Sequence, residues 1–213
     1  MRTVLAIDTS GEYASLALLA AGGELTEAAV HSPGGHSPHL FGEIQALLRR
    51  AGVRLEDVDC FAAASGPGSF TGVRVALAAV KGLAAALDKP MVAVSNLQAL
   101  AWFGERPLRA AVIDARRGDI YGGVFNAALE PVRPEVVAKL DAWLAALEPG
   151  DVEIVTAQPA LLLPSGRPHR VVPPGQLARA VAHIARGAVP VDPALTDANY
   201  VRRADAEMNW VDR

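Results

Sequence analysis

The sequence is short of most of the residues that announce chemistry. A single cysteine, Cys60, in 213 residues excludes an internal disulfide and suits a reducing compartment. Aromatic residues make up only 5% of the chain, so the core has to be built from alanine, valine and leucine. No apolar run reaches the roughly 20 residues that cross a bilayer. The opening residues, Met1 to Asp8, carry charge too early for a secretory signal, so cytoplasm and no membrane are expected. Positive charge is not in excess: 20 Lys and Arg against 23 Asp and Glu leave a formal charge of -3. That balance excludes a surface that grips nucleic acid all round, although a local basic patch stays open. The histidines are five. His36 and His39 stand three apart, but Pro38 lies between them at a helix start, so they form no ligand pair. His31, His169 and His183 are isolated, and no nucleophile–base pair is recognisable. Cys60 reads as a small core residue.

What is present is a glycine-rich turn between a strand and a helix: Ser65-Gly66-Pro67-Gly68-Ser69-Phe70-Thr71-Gly72-Val73-Arg74. Apolar residues 61–64 run into it, and a long, almost uncharged helical pattern over 71–87 leaves it. Glycines at 66, 68 and 72 permit close backbone approach, Pro67 sets one torsion, and Ser69 or Thr71 can cap the helix. A helix start of this kind is a ready anion site, yet a turn and a cap with nothing bound explain it equally. Around it the pattern predicts strands over 3–7, 14–20 and 25–31, then a polar loop over 32–36. Ser37-Pro38 is a cap-and-first-residue pair for a helix carrying Leu40, Phe41, Ile44, Leu47, Leu48 and Ala51 and ending at Gly52. Further strands are expected over 57–64 and 91–94, and a short helix over 97–103.

The chain also repeats itself. Leu5-Ala6-Ile7-Asp8, Gly11-Glu12-Tyr13 and the strand after it return as Ala111-Val112-Ile113-Asp114, Gly118-Asp119-Ile120 and a second strand. The offset is 106 (114 minus 8), with one extra residue in the later turn. Either this is a chance likeness of two common hairpins, or the chain consists of two related α/β halves, 1–105 and 106–213. The second half is reduced, and the chain end can pack back on the first. Two halves that each open with a strand, an acidic turn and a strand are the plan of the actin, Hsp70 and sugar-kinase (ASKHA) fold.

Four blocks carry a specific resemblance: Ala6-Ile7-Asp8-Thr9-Ser10, His36-Ser37, residues Gly66 to Arg74, and Asp114-Ala115-Arg116-Arg117-Gly118 with Tyr121. They resemble the TsaB (YeaZ) family, the non-catalytic partner in bacterial tRNA threonylcarbamoyladenosine synthesis. Tyr200-Val201-Arg202 adds weaker support, because Ala198 stands where that family has proline. The resemblance implies a scaffold for TsaD, which transfers a threonylcarbamoyl group to N6 of the adenosine beside the anticodon. TsaE, a small ATPase, would dock on the pair, tRNA would be met through the complex, and a homodimer would form when the chain is alone. TsaD itself carries two histidines four apart that hold a metal; Asn96 and Leu100 occupy those positions here. Leucine ligates nothing and a lone asparagine is a poor ligand, so no metal, no cofactor and no catalysis are expected. Asp8, Thr9 and Ser10, with Gly66, Gly68, Ser69 and Thr71, are read as vestigial phosphate-type turns, with Asp8 tying its own turn to backbone N–H groups.

Function then has to live on a surface. The helix over 71–87 is apolar or small nearly all round, with only Arg74 and Lys81 charged. Either it is buried wholly inside the monomer, or it offers a second apolar face to a partner. The expected interface is Leu40, Phe41, Ile44, Leu47 and Leu48 with Val73, Ala76, Leu77, Val80 and Leu83. Arg74, Arg116 and Arg117 are candidate contacts for tRNA or the ATPase. The rival readings are an ATP-dependent kinase or a peptidase of the same superfamily, and a stand-alone homodimeric scaffold.

Overall fold

The computed structural model describes residues 1–31, 39–147 and 152–201. The loop over 32–36, the Ser37-Pro38 cap and the His36-Ser37 block lie outside the described residues. Among the described residues ten strands form two five-stranded sheets, accompanied by five α-helices.

The first sheet grows from β1 (Val4–Asp8), β2 (Tyr13–Leu19), β3 (Leu25–His31), β4 (Cys60–Ala64) and β5 (Met91–Val94), in the order β3-β2-β1-β4-β5. β1 pairs antiparallel with β2 and parallel with β4. All five residues of β1 and of β4 are buried. Their continuous apolar runs follow from the period of two. Leu5, Ile7, Leu16, Leu18, Phe61 and Ala63 face one layer, while Val4, Ala6, Ala17, Leu19, Cys60, Ala62 and Ala64 face the other. α1 (Leu40–Ala51) and α2 (Phe70–Leu87) cover the first face, and α5 (Leu177–Gly187) covers the second. α5, late in the sequence, therefore packs on the first sheet.

The second sheet, β6 (Leu108–Arg116), β7 (Asp119–Asn126), β8 (Pro131–Lys139), β9 (Val152–Thr156) and β10 (His169–Val171), runs β10-β9-β6-β7-β8. Reversed, that is the same order as the first sheet, with two antiparallel and two parallel pairings. The repeat extends to side chains. Asp8 Oδ1 accepts the Ser10 N–H at 2.9 Å and Asp114 Oδ1 accepts the Arg116 N–H at 2.7 Å, both two residues on. The second half is reduced where α2 would stand: short 3-10 turns at Pro159–Leu161 and Leu163–Ser165 separate β9 from β10. α4 (Leu140–Ala146) packs on the outer face, and α3 (Asn96–Ala101) sits between the halves. Leu97 and Leu100 of α3 meet Ala111, Phe125 and Val155 of the second sheet, whereas Ala99 joins the core of the first.

α2 is long and apolar enough by composition to cross a membrane, contrary to the reading of the bare sequence. Its length is spent on the sheet instead. Gly72, Val73, Ala76, Leu77, Ala79, Val80, Leu83 and Ala84 are buried, packed over β1, β4 and β5.

Three consequences are measurable. Leu47 is fully buried under α1, so Leu47→Ala should cost about 2–5 kcal/mol in chemical denaturation. Gly82 lies mid-helix on the exposed side with open space around its Cβ position, so Gly82→Ala should add about 0.5–1 kcal/mol. On the opposite layer the His183 ring stacks on Trp102 at 4.9 Å. Burial first, then the charges of Arg186 and Arg179, push its imidazole below its ordinary 6.5. The unfolded chain then takes up that proton before the folded one does, so stability should fall as the pH drops below 6.5. In thermal unfolding between about pH 7.5 and pH 5.5, His183→Gln should lose less stability than the parent.

Candidate functional site: the joint of three loops at the ends of β1, β4 and β5

Parallel strands β1, β4 and β5 all end at one edge, and the loops that leave them meet there. This is the crevice at strand carboxyl ends where open α/β sheets place ligands. The Asp8-Thr9-Ser10 turn leaves β1, the Gly66-Pro67-Gly68 turn leaves β4 through a cis Gly66–Pro67 peptide, and Ser95-Asn96 leaves β5 into α3.

The loops are locked by backbone proximity and by one side chain. A Cβ on Gly72 would lie 1.9 Å from the Thr9 carbonyl oxygen, so α2 can approach the β1 turn only with glycine there. The Thr9 hydroxyl, almost wholly buried, donates to the Gly72 carbonyl at 2.6 Å, and the Ser69 N–H donates to the Ser10 carbonyl at 2.8 Å. Gly66 takes a φ of 102°, which favours glycine. Asn96, fully buried, holds all three loops. Its Oδ1 accepts the Gly66 N–H at 3.0 Å, while its Nδ2 donates to the Ser10 hydroxyl at 2.7 Å and the Pro67 carbonyl at 3.0 Å. Its own N–H donates to the Gly66 carbonyl at 2.8 Å.

In the turns read as vestigial phosphate-type turns, polar groups bond within the chain. Asp8 does fix its turn, accepting from the Ser10 N–H and hydroxyl and from the Ser15 hydroxyl. The N–H groups of Ser65, Gly66, Ser69, Gly72 and Ser10 all donate to acceptors within the chain. Ser69, not Thr71, caps α2, accepting the Gly72 N–H at 3.3 Å; Thr71 lies exposed on the first turn. Gly68 packs on Ser10, where an added Cβ would come within 2.9 Å. An anionic phosphate would also meet the Glu135 carboxylate, whose Oε2 lies 2.6 Å from Asn199 beside the same turn. These five N–H groups are spent within the chain, and a carboxylate stands beside the turn.

The metal positions read from the sequence are occupied by structure. Asn96 is spent on the loops and Leu100 is buried against the second sheet. Among the described residues no group of three His, Cys, Asp or Glu is placed to hold a metal. Cys60 is buried, and burial pushes its thiol above the ordinary value.

The interface residues need the larger correction. Leu40, Ile44, Leu47, Leu48, Val73, Ala76, Leu77, Val80 and Leu83 are all buried within the monomer, packed between the two helices and the sheet. Of that set only Phe41, 55% exposed, faces out. Hydrophobicity alone does not separate the helical faces, and the larger apolar side chains of α2 belong to the sheet. Its outward stripe is Phe70, Arg74, Ala78, Gly82, Ala85 and Ala86. This small-residue stripe was legible in principle as the complement of the bulky one. The arginines do not form one patch. Arg74 lies over the Phe70 ring at 3.5 Å and donates to the Tyr200 hydroxyl at 2.9 Å. Arg116 and Arg117 sit in the β6–β7 hairpin of the other half, both at positive φ. Glu135 and Asn199 were missed altogether, because nothing local marks two residues that meet only through the fold.

Asn96→Ala strands buried donors and acceptors on all three loops, each worth about 1–3 kcal/mol. Thermal unfolding of the variant should therefore show a loss of about 3 kcal/mol or more, and Gly72→Ala should lose at least as much through the steric conflict with Thr9.

The family model for TsaD, tRNA N6-adenosine threonylcarbamoyltransferase, matches residues 30–172. The TsaB biosynthesis protein of Bacillus subtilis is 36% identical over 154 residues, 70% of this chain and 67% of that one. The TsaB protein of Haemophilus influenzae is 40% identical over 56% of this chain, which spans about half (52%) of that relative. YeaZ from Pseudomonas aeruginosa superimposes with a TM-score of 0.78 at 31% identity, over 94% of this chain and 100% of that one. Component A of (R)-2-hydroxyglutaryl-CoA dehydratase from Acidaminococcus fermentans has a TM-score of 0.54 at 12% identity, over 87% of this chain and 98% of that one. It shares the fold alone. The two halves form an ASKHA-type α/β fold, and the chain belongs to the TsaB (YeaZ) family.

Proposed function

We propose that this chain is the non-catalytic partner of TsaD in forming the threonylcarbamoyl group on N6 of the adenosine beside the anticodon, in tRNAs that read A-starting codons. The observation that carries the reading is Asn96. At a position where the catalytic relative is expected to carry a metal-binding histidine, this chain has a carboxamide bonded to three loops. A site so consumed has no group left to polarise a substrate. Family membership supplies the pathway, and the work left to the chain is contact.

The contact surface of this reading is the outward stripe of α2 with Phe41 of α1. Phe41 and Phe70 are 55% and 47% exposed, and Ala78, Gly82, Ala85 and Ala86 between helix turns leave room for another helix to approach closely. TsaD is the proposed occupant, with a second copy of this chain replacing it in isolation. TsaE docks on the assembled pair, tRNA is met through the complex, and the setting is the cytoplasm. Arg116 and Arg117 are proposed as a solvated basic hairpin within reach of tRNA or TsaE.

The test uses surface variants, since substitutions at Leu77 or Ile44 would unfold the monomer. Ala78→Glu and Phe41→Asp should leave the thermal midpoint nearly unchanged yet weaken capture of TsaD at least about tenfold. Threonylcarbamoylation of tRNA by the reconstituted proteins should fall in parallel. Full capture by both variants, or full activity with this chain omitted, would refute the reading.

A further inference from the structure

Between the halves the apolar seam of Leu97, Leu100, Ala111, Phe125 and Val155 supplies adhesion. Such contacts are non-directional and by themselves set no angle between two sheets. Gln98 adds one neutral bond, to the Leu129 carbonyl at 3.1 Å. The charged contact at this mouth is made by Glu135 of β8. One carboxylate oxygen accepts the hydroxyl of Ser95, the residue that caps α3, and the other accepts the Asn199 carboxamide at 2.6 Å. Asn199 is itself bound to the first half, its N–H donating to the Ser65 carbonyl at 2.7 Å, with its Nδ2 3.4 Å from the Gly66 carbonyl.

Asn199 ends a strap that is fastened along its length. Val191 bridges Met91 at the end of β5's edge, Lys81 of α2 donates to the Thr196 carbonyl, and Ala198 enters the core beneath α2. The Tyr200 ring lies 5.8 Å from Phe70, and its hydroxyl accepts from Arg74. The strap thus crosses α2 and delivers one carboxamide to the glycine turn, where it faces a carboxylate of the opposite half.

We propose that residues 191–200 are a strap whose Asn199, together with Glu135 and Ser95, latches the two halves in one orientation over the Gly66 turn. Charge-assisted bonds to a single carboxylate fix an angle that the apolar seam leaves free. With the latch released, the halves hinge on α3 and the turn is uncovered. This device needs neither TsaD nor any ligand, so it stands apart from the partner reading.

The test is made on the full chain alone. Spin labels on Gln45→Cys of α1 and Ala145→Cys of α4, both exposed and in different halves, report the distance between the halves; Cys60 is buried and silent. The parent should show one narrow distance distribution, and Asn199→Ala and Glu135→Ala should each broaden it. Hydrogen exchange at the Gly66 and Asn199 amides should rise at least about tenfold, the population change that follows loss of one charge-assisted bond. The double variant should match the stronger single one. If Glu135→Ala fails to fold, Glu135→Gln, which keeps the volume and loses the charge, carries the same expectation. An unchanged distribution and unchanged exchange in these variants, or additive effects in the double variant, would overturn the latch.

Discussion

The closest constraint in this molecule is the passage of α2 past the β1 turn, where there is no room for a methyl group between Gly72 and the Thr9 carbonyl. Because the two backbones touch, the loop after β4 must fold tightly, and Gly66 takes the conformation that allows it. Because the loop folds tightly, its N–H groups turn inward and need acceptors, and Asn96 supplies one while bridging to Ser10 and Pro67. The order of the first sheet, the seat of α2 and the start of α3 all depend on that joint. A buried polar network of this kind is stable only when complete, and here each described bond has its partner.

The same network occupies the mouth of the first sheet. The edge where three parallel strands end is the natural place for a substrate. In this chain the donors that would hold a guest hold one another, and the carboxylate of Glu135 and the carboxamide of Asn199 stand beside them. On the outer layer α2 presents Ala78, Gly82, Ala85, Ala86 and the Phe70 ring to solvent, and α1 presents Phe41.

Much of the fold was legible from local pattern. The five strands of the first sheet, the helix ends at Gly52 and Leu87 and the two hairpins follow from periodicity and turn residues, while the choice of Ser69 over Thr71 as cap came from the structure, and the hairpin repeat returned as a matched sheet order and a matched Asp-to-backbone bond. The site was legible in part. Asn96 and Leu100 stood out as the wrong residues for a metal, but the bonds that Asn96 makes to residues 29 or more positions away left no mark on the sequence. The interface set needed correction for a different reason: apolar character on every side of a helix does not by itself say which side meets its own sheet, and side-chain size decided it, bulky Leu77 and Val80 filling the core while small Ala78 and Gly82 are left outside.

Element boundaries, hairpin turns and the loss of metal ligands belong to the amino-acid order, because each rests on residues within a few positions of one another. The tertiary structure alone assigned the face of α2 that reaches solvent, carried α5 back to the first sheet, and brought Glu135, Ser95 and Asn199 together. Those outcomes depend on which surfaces compete for burial once both sheets exist, and that competition is settled only between segments far apart in the chain.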